Sequence, residues 1–287
     1  METINMTIEE KKNFYGNLIY TSHSKVAKAI GIKELVPINA TAKQKHTLDN
    51  KGVLEFLLYL TPYKLDNRTM CPNAEHCKVT CLAGSGINVL YKYNSESPID
   101  RVRRIRTELF LYNREVFMQM YLEELDKAFE KANKLGLRFL ARLNGTSDLS
   151  PLMFKYKGKN ILELRPNITF NEYTKVSAYL DLQKKYSNID YTFSYNGYND
   201  SEAKYALENG TRVAVVFDLK KNDILPKKFN GYEVINGDVS DVRADDAKNV
   251  IVLLHYKPSK KTIVNGHYAK QTDNPFVISK NDKRIEW

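Results

Sequence analysis

The sequence predicts an α/β protein with a mostly parallel sheet, arranged as a (β/α) barrel or a partial barrel. After Gly136, short apolar runs alternate with helical segments, which is typical of parallel strands joined by crossover helices. Polar residues follow the carboxyl ends of these runs, where active sites lie in (β/α) barrels. A long amphipathic helix with one apolar face precedes this region.

The composition is that of a globular protein able to bury a sizeable core. Hydrophobic residues make up 43% and charged residues 27% of the 287 residues, and both values are ordinary. No apolar run is long enough to cross a bilayer, and the start METINMTIEEKK lacks the apolar stretch of a signal peptide. We therefore expect no membrane partner and a cytoplasmic location.

Basic residues outnumber acidic ones, with 44 Lys and Arg against 34 Asp and Glu. Such an excess attracts polyanions, so nucleic acid or a nucleotide is a candidate partner. The densest basic segment holds Arg101, Arg103, Arg104 and Arg106. These side chains could contact phosphates or form a solvated helix face, and the sequence leaves both open.

The chain divides into a small N-terminal extension, residues 1–50, and a single α/β domain, residues 51–287, which carries the cysteines. The first predicted strand is the apolar run of residues 53–60, and a loop with three cysteines follows it. In the same domain, the remaining strands are predicted at residues 137–143, 168–170, 191–195, 212–217, 232–235 and 250–254.

Helices are predicted between these strands and ahead of the second one. Ser97 is suited to cap a helix whose first residue is Pro98, and the apolar spacing continues to Gly136. Its length indicates a break near Asn113 into two helices. Shorter helices are predicted over residues 25–31, 176–185 and 201–209.

We expect the polar residues at the strand ends to converge on one pocket. The predicted catalytic residues are Arg142, Asn144, Asp148, Glu172 and Asp238, and the predicted cofactor-binding residues are Ser194, Asn196 and His255. The alternative is that several of them cap the following helix, a role for which Asp148 and Ser201 are well placed.

The cysteines indicate a metal site. Cys71, Cys77 and Cys81 form a C-x5-C-x3-C motif, and the chain has three cysteines in all. An odd number of thiols is a poor disulfide framework, whereas soft thiolate ligands select zinc or an iron–sulfur cluster. Three thiolates suit a four-iron cluster (4Fe-4S) with one open iron, or zinc with a fourth ligand from elsewhere in the chain. The candidates for that ligand are His23, His46, His255 and His267, since His76 adjoins Cys77. The alternative is structural thiols without metal.

A cysteine loop after the first strand, then a long helix and a series of β/α units, resembles the architecture of radical S-adenosylmethionine barrels. The usual cysteine spacing there is C-x3-C-x2-C, and Asn144-Gly145-Thr146 stands where a Gly-Gly-Glu element is expected. The resemblance implies an iron–sulfur cluster and makes S-adenosylmethionine a candidate cosubstrate.

A second resemblance rests on residues rather than layout. Over roughly residues 50–280, the chain resembles the bacteriophage family named after mycobacteriophage gene product 88. The motifs are Thr69-Met70-Cys71-Pro72 with the two later cysteines, Arg142 to Asp148, Tyr173-Thr174-Lys175, Thr192-Phe193-Ser194, Gly237-Asp238 and Asp241-Val242-Arg243. This resemblance implies a phage or prophage setting, and therefore the cytoplasm of the host cell.

Three functional hypotheses follow. The first is a radical-S-adenosylmethionine-like enzyme with an iron–sulfur cluster that acts on nucleic acid or a nucleotide-derived substrate. The second is a base-exchanging transglycosylase-like barrel with structural zinc and a nucleophilic Asp148 or Asp238. The third is a phage protein without catalytic activity that binds nucleic acid or a host factor. Walker, dinucleotide-binding, zincin and serine-hydrolase motifs are absent from the sequence.

Overall fold

The chain is described by a computed structural model, which covers residues 3–38, 41–74, 76–81, 96–220, 222–257, 263–264, 267–268 and 275–287. It forms two compact units. The first contains Met1–Cys71 and Glu96–Phe170, and the second contains Pro72–Ser95 and Asn171–Trp287.

Eight α-helices occur among the described residues: α1 (Ile8–Gly16), α2 (His23–Ile30), α3 (Ala42–Lys51), α4 (Pro98–Tyr112), α5 (Arg114–Lys134), α6 (Ile161–Leu164), α7 (Leu182–Lys185) and α8 (Asp200–Glu208). Within that part of the chain, no helix has the length and apolar character needed to cross a membrane.

The strands are mostly short. They are β1 (Val53–Leu57), β2 (Lys64–Leu65), β3 (Arg68–Thr69), β4 (Arg138–Arg142), β5 (Lys155–Tyr156), β6 (Lys159–Asn160), β7 (Thr169–Thr174), β8 (Ile189–Ser194), β9 (Arg212–Phe217), β10 (Lys228–Phe229), β11 (Tyr232–Asn236), β12 (Ile251–His255), β13 (Ile263–Val264), β14 (His267–Tyr268), β15 (Val277–Ile278) and β16 (Ile285–Glu286).

In the first unit, β1 pairs with β4 over its whole length, and β4 pairs with Thr169 and Phe170 at the start of β7. Both pairings are parallel. Every residue of β1 is buried, as expected for a strand of a parallel sheet that is covered on both faces. Helix α5 packs against β1 and β4 and covers one face.

In the second unit, the strand order is β7, β8, β9, β12, β11, β10 and β16, with β15 beside β9. The pairings of β9 with β8, β12 and β15, and of β12 with β11, are parallel. The pairings of β10 with β11 and β16 are antiparallel. Because β9 lies inside the sheet, its apolar run Arg212–Phe217 is almost wholly buried.

The α/β class and the mostly parallel strands are therefore confirmed. The described pairings form open rows of strands in each unit, and closure into a barrel is not shown by them. The division into an extension, residues 1–50, and a single domain, residues 51–287, stays a prediction. Residues 1–50 do, however, contribute helices α1 and α2 and most of α3 to the first unit.

The N-terminal helices are tied to α4 by a buried carboxylate. Glu108 is fully buried and accepts hydrogen bonds from Thr3 Oγ1 at 2.9 Å and from the Tyr15 hydroxyl at 2.8 Å. Lys11 and Arg104 pair with it at 3.0 and 3.1 Å. A carboxylate removed from water needs such partners, so these contacts hold the N-terminal helical segments against α4.

The break that the sequence indicates near Asn113 is present, and Asn113 itself makes it. Its backbone leaves the helical conformation, with φ −146° and ψ 75°, and its side chain accepts a hydrogen bond from Val116 N at 3.1 Å. The amide nitrogen of Asn113 donates to the carbonyls of Tyr15 and Leu18 at 2.8 and 2.9 Å. One residue thus ends α4, begins α5 and fixes the segment after α1.

A pH-dependent contribution to stability is expected from His23, whose Nε2 lies 2.5 Å from Glu124 Oε1. Hydrogen bonding to Glu124 raises the pKa of His23 above its usual 6.5. Because the folded-state pKa is raised, the stabilisation is complete below the unfolded-state pKa and is lost as the pH rises through the folded-state value. The variant His23→Gln should therefore lose about 1 kcal/mol of unfolding free energy in acid and much less in alkali.

Denaturant unfolding at several pH values measures this difference. The control is the same substitution in a Glu124→Gln background, where the pH dependence should disappear. If it persists there, the raised pKa does not come from this pair.

Candidate functional site

The parallel register of β11 and β12 brings Asp238 and His255 together at the carboxyl ends of these strands. Asn236, the last residue of β11, stands opposite Leu253 of β12. Asp238 follows two residues later in the turn after β11, and His255 is the last residue of β12. Side chains two residues apart point to the same face of a sheet, so the carboxylate and the imidazole meet.

The contact between them is made by one carboxylate oxygen. Asp238 Oδ2 accepts hydrogen bonds from His255 N at 2.9 Å and from His255 Nδ1 at 2.7 Å. The second oxygen, Oδ1, lies 3.5 Å from Lys257 Nζ. Because a carboxylate only accepts hydrogen bonds, the proton of a neutral His255 ring is on Nδ1 and the lone pair is on Nε2.

His255 Nε2 is buried and has no hydrogen-bond partner among the described residues. The side chain as a whole is 11% exposed. An unsatisfied buried polar atom costs about 1–3 kcal/mol of stability, and such atoms in native proteins often have a functional reason. The nitrogen is therefore the atom of this pair that is free to act as a base or as a ligand.

Two neighbouring residues hold the loop that presents Asp238. Gly237 has no room for a side chain, since an added Cβ would lie 2.5 Å from Val252 Cγ1 and 2.7 Å from Leu253 O. Arg243 is almost fully buried, and its Nη2 donates to Gly237 O at 3.0 Å and to Ser240 O. Its Nη1 lies 2.8 Å from Asp246 Oδ2. These contacts give structural reasons for the Gly237-Asp238 and Asp241-Val242-Arg243 motifs.

The other predicted residues of the second unit occupy neighbouring strand ends but different environments. Glu172 is fully buried within β7. Ser194 ends β8, and its carbonyl accepts a hydrogen bond from Asn199 Nδ2 at 3.2 Å. Asn196 forms a turn, in which its side chain accepts a hydrogen bond from Tyr198 N at 2.9 Å.

In the first unit, the predicted residues after β4 form a compact loop. Asn144 Oδ1 accepts hydrogen bonds from Ser147 Oγ and Leu149 N, both at 2.8 Å, and Asn144 Nδ2 donates to Leu149 O at 2.9 Å. Arg142 Nε donates to the Asn144 carbonyl at 3.2 Å. The buried side chain of Asn144 therefore shapes the loop that carries Asp148, which is 8% exposed.

The alternative role of Asp148 and Ser201 as helix caps is taken by other residues. Ser150 caps the 3-10 helix Pro151–Met153 by accepting a hydrogen bond from Leu152 N. Asn199 occupies the N-cap position of α8, and Ser201 lies inside that helix, where its hydroxyl donates to Glu202 Oε2 at 2.8 Å.

None of the three cysteines forms a disulfide bond, and all three are of intermediate burial. In the first unit, Cys71 Sγ accepts a hydrogen bond from Tyr63 N at 3.3 Å and lies 3.7 Å from the carbonyl of Thr146. In the second unit, Cys77 lies 3.7 Å from the carbonyl of Ala74 and begins the 3-10 helix Cys77–Thr80, which Cys81 follows.

The segment that carries Cys77 and Cys81 is fixed near strand ends of the second unit. Asn73 Nδ2 donates to the carbonyl of Lys175, directly after β7, at 2.8 Å. The His76 ring lies 4.1 Å from the Tyr198 ring, which follows β8. Within the part of the chain that the structure describes, no group of three or more His, Cys, Asp or Glu residues could hold a metal ion as placed.

The predicted basic segment is largely packed against the first unit. Arg104 is buried and pairs with Glu96 at 2.6 Å and with Glu108. Arg106 is buried as well, donates to the carbonyl of Glu34, and has its pKa lowered to about 10 by burial. Arg103 lies 3.2 Å from Asp100. The four arginines therefore do not form the exposed patch that we considered.

Sequence reasoning missed the residues that support the site. Arg243 and Gly237 belong to motifs that the sequence analysis quoted. Their role depends on contacts that the sequence does not show: Arg243 donates to the carbonyl of Gly237, just after β11, and Gly237 packs against β12. Asn199 was also missed; its side chain joins Ser194 to Asn196, whose backbone N donates to Asn199 Oδ1 at 2.8 Å. Its position shortly after a strand was the available signal.

Comparison with known proteins identifies one family. The family model described as Gene product 88 matches residues 33–274 of the chain. No curated protein and no solved structure matches the chain.

The hydrogen bonds of Asn144 predict that this residue acts through loop structure. In Asn144→Asp, the carboxylate cannot donate to Leu149 O, and a buried charge faces that carbonyl. The unfolding free energy should fall by about 1–3 kcal/mol. The matched control is Asn209→Asp, where an exposed amide donates to the carbonyl of Tyr205 at 2.9 Å and the loss should stay below about 1 kcal/mol. Equal losses in the two variants, measured by denaturant unfolding, would contradict the structural role.

Proposed function

This chain belongs to the gene product 88 family, and we propose that it is a phage metalloenzyme whose cysteine loop binds an iron–sulfur cluster. Cys71, Cys77 and Cys81 supply the thiolate ligands, and residues at the carboxyl ends of the strands, among them Asp238 and His255, act on the substrate. The reducing cytoplasm of the host cell is the setting that fits reduced thiols.

The observation that carries this proposal is the state of the three thiols. They lie within eleven residues of sequence, form no disulfide bond, and are all partly exposed. Free cysteines with a purely structural role are among the most buried residues of a protein, so their intermediate burial favours ligands over structural thiols. Three soft donors fit a four-iron cluster, which would leave one iron open to a cosubstrate such as S-adenosylmethionine.

The position of the cysteine segment also supports an enzyme. Cys77 and Cys81 follow Asn73 and His76, which contact residues directly after β7 and β8. Active sites of parallel sheets lie at this end of the strands. The chain itself would bind and orient the substrate there and move protons through Arg142, Asp148 and Glu172, while Ser194 and Asn196 would bind the cofactor. Asn144, named with the catalytic residues, would act by holding the loop that carries Asp148.

Zinc is the alternative metal, because three thiolates and a histidine also form a common zinc site. A transglycosylase-like enzyme would then use Asp148 or Asp238 as a nucleophile. A further alternative is a protein without catalytic activity that binds nucleic acid or a host factor. Its signature is affinity that falls steeply with salt concentration, since phosphate contacts release counterions.

Anaerobically purified protein should be brown and carry about four irons per chain, because a cubane cluster contains four. Single replacements of Cys71, Cys77 or Cys81 by Ser should each remove most of the iron, as measured by metal and sulfide analysis. The matched control is Lys78→Ser, an exposed position in the same segment, which should keep the full complement.

The alternatives give different results in this experiment. Colourless protein with one zinc per chain would reject the iron–sulfur cluster and keep the metal site. Protein that carries neither metal after purification without oxygen would reject both. Equal iron in the cysteine variants and in wild type would show that the metal binds elsewhere.

A further inference from the structure

We propose that Asp238 and His255 form a proton-transfer pair, in which His255 Nε2 accepts the proton of a hydroxyl group on an anionic substrate. This inference goes beyond the cysteine site and does not depend on which metal, if any, that site holds. It rests on three features of the second unit: the fixed orientation of the ring, the free nitrogen, and the adjacent positive charge.

The orientation of the His255 ring is fixed from two sides. The backbone N and Nδ1 of His255 both donate to Asp238 Oδ2, at 2.9 and 2.7 Å. Asp238 is itself held by the loop that Gly237 and Arg243 support. A carboxylate that holds Nδ1–H presents the lone pair of Nε2 to a substrate and stabilises the imidazolium that forms.

The second nitrogen of the ring is buried and lacks a hydrogen-bond donor in the part of the chain that the structure describes. Nε2 has no hydrogen-bond partner among the described residues, although its accessible surface is nearly zero. Structural histidines normally have both nitrogens hydrogen-bonded or one exposed to water. A donor supplied by a bound molecule would complete the hydrogen bonding of this ring.

The charge beside the pair indicates the substrate class. Lys257 Nζ lies 3.5 Å from Asp238 Oδ1, and half of its side chain remains exposed. Its ammonium group can therefore contact an anion while still facing the carboxylate. An anion that carries a hydroxyl group can both donate a hydrogen bond to His255 Nε2 and contact the ammonium group of Lys257. Hydrogen phosphate is the simplest example.

In the proposed step, the O–H bond of the substrate breaks and its proton moves to His255 Nε2. The bonding electron pair stays on the substrate oxygen, which becomes a nucleophile. His255 becomes an imidazolium whose Nδ1–H remains hydrogen-bonded to Asp238. The step needs no oxidant, reductant or further reactant.

Nitrogen NMR of the full chain labelled at histidine tests the proposal, with inorganic phosphate as the probe and His255→Gln to assign the resonances. In wild type at neutral pH, the neutral ring should carry its proton on Nδ1. Phosphate should move the Nε2 resonance toward its protonated value in a saturable way. Sulfate at equal ionic strength should not, because it is an anion without a hydroxyl group at this pH.

Two variants identify the partners. Lys257→Met should weaken the apparent phosphate affinity about threefold, the effect of one exposed ion pair. Asp238→Ala should shift the proton from Nδ1 to Nε2 and abolish the phosphate effect. If Asp238→Ala does not fold, the proposal is tested by the comparison of phosphate with sulfate in the wild-type protein.

Three results would overturn the proposal: a proton on Nε2 in wild type, no response to phosphate, or an equal response to sulfate. The metal content of the same sample is measured separately. A phosphate response in protein without metal would support the pair while rejecting the cysteine site.

Discussion

The parallel pairing of β11 with β12 is the constraint on which the candidate site depends. It sets the end of β11 beside the second half of β12, and the hydrogen bonds of Asp238 to His255 follow directly after this pairing. A shift of one residue would send the two side chains to opposite faces of the sheet. Gly237 packs closely against β12, and Arg243 donates a hydrogen bond to the loop after β11. These contacts therefore help to keep Asp238 next to His255.

Buried charges are a second organising feature, and several of them pair with an opposite charge in the same unit. Arg212 is fully buried in β9 and pairs with Asp190 at 2.7 Å. Burial raises the pKa of Asp246, whose carboxylate pairs with Arg243. In the first unit, Glu108 is paired with Arg104. Removal of one partner from such a pair leaves a charge without compensation, which typically costs about 3–5 kcal/mol. The net charge of +10 consequently says little about which basic side chains a polyanion could reach.

The sequence predicted elements well where apolar runs and breakers coincide. The strand Arg212–Phe217 has the predicted bounds, and the helical break occurs at Asn113. Helices α1 and α3 were missed, although Thr7 with Glu10 and Thr41 with Gln44 form capping boxes that are readable in sequence. Both helices have polar sequences with weak periodicity, so packing rather than pattern determines them.

The sequence could predict individual residues of the candidate site, but not which of them contact each other. Asp238 and His255 were both expected at strand ends, because polar residues follow apolar runs there. Their pairing was not predictable, since it depends on which strand lies beside which and in what register. The burial of Arg104 and Arg106 was equally hidden. Arg104 pairs with Glu96 and Glu108, which lie near it in sequence, but Arg106 donates to the carbonyl of Glu34, 72 residues away.

The hydrogen bonds of Asn113 affect local unfolding of the first unit. Its amide bridges α4, α5 and the segment after α1, so none of the three can separate while the bridge holds. Local opening of the N-terminal helices would therefore require the junction of the two long helices to loosen with them. Backbone amides of these elements should exchange with solvent deuterium as one cooperative group rather than fraying from the chain end.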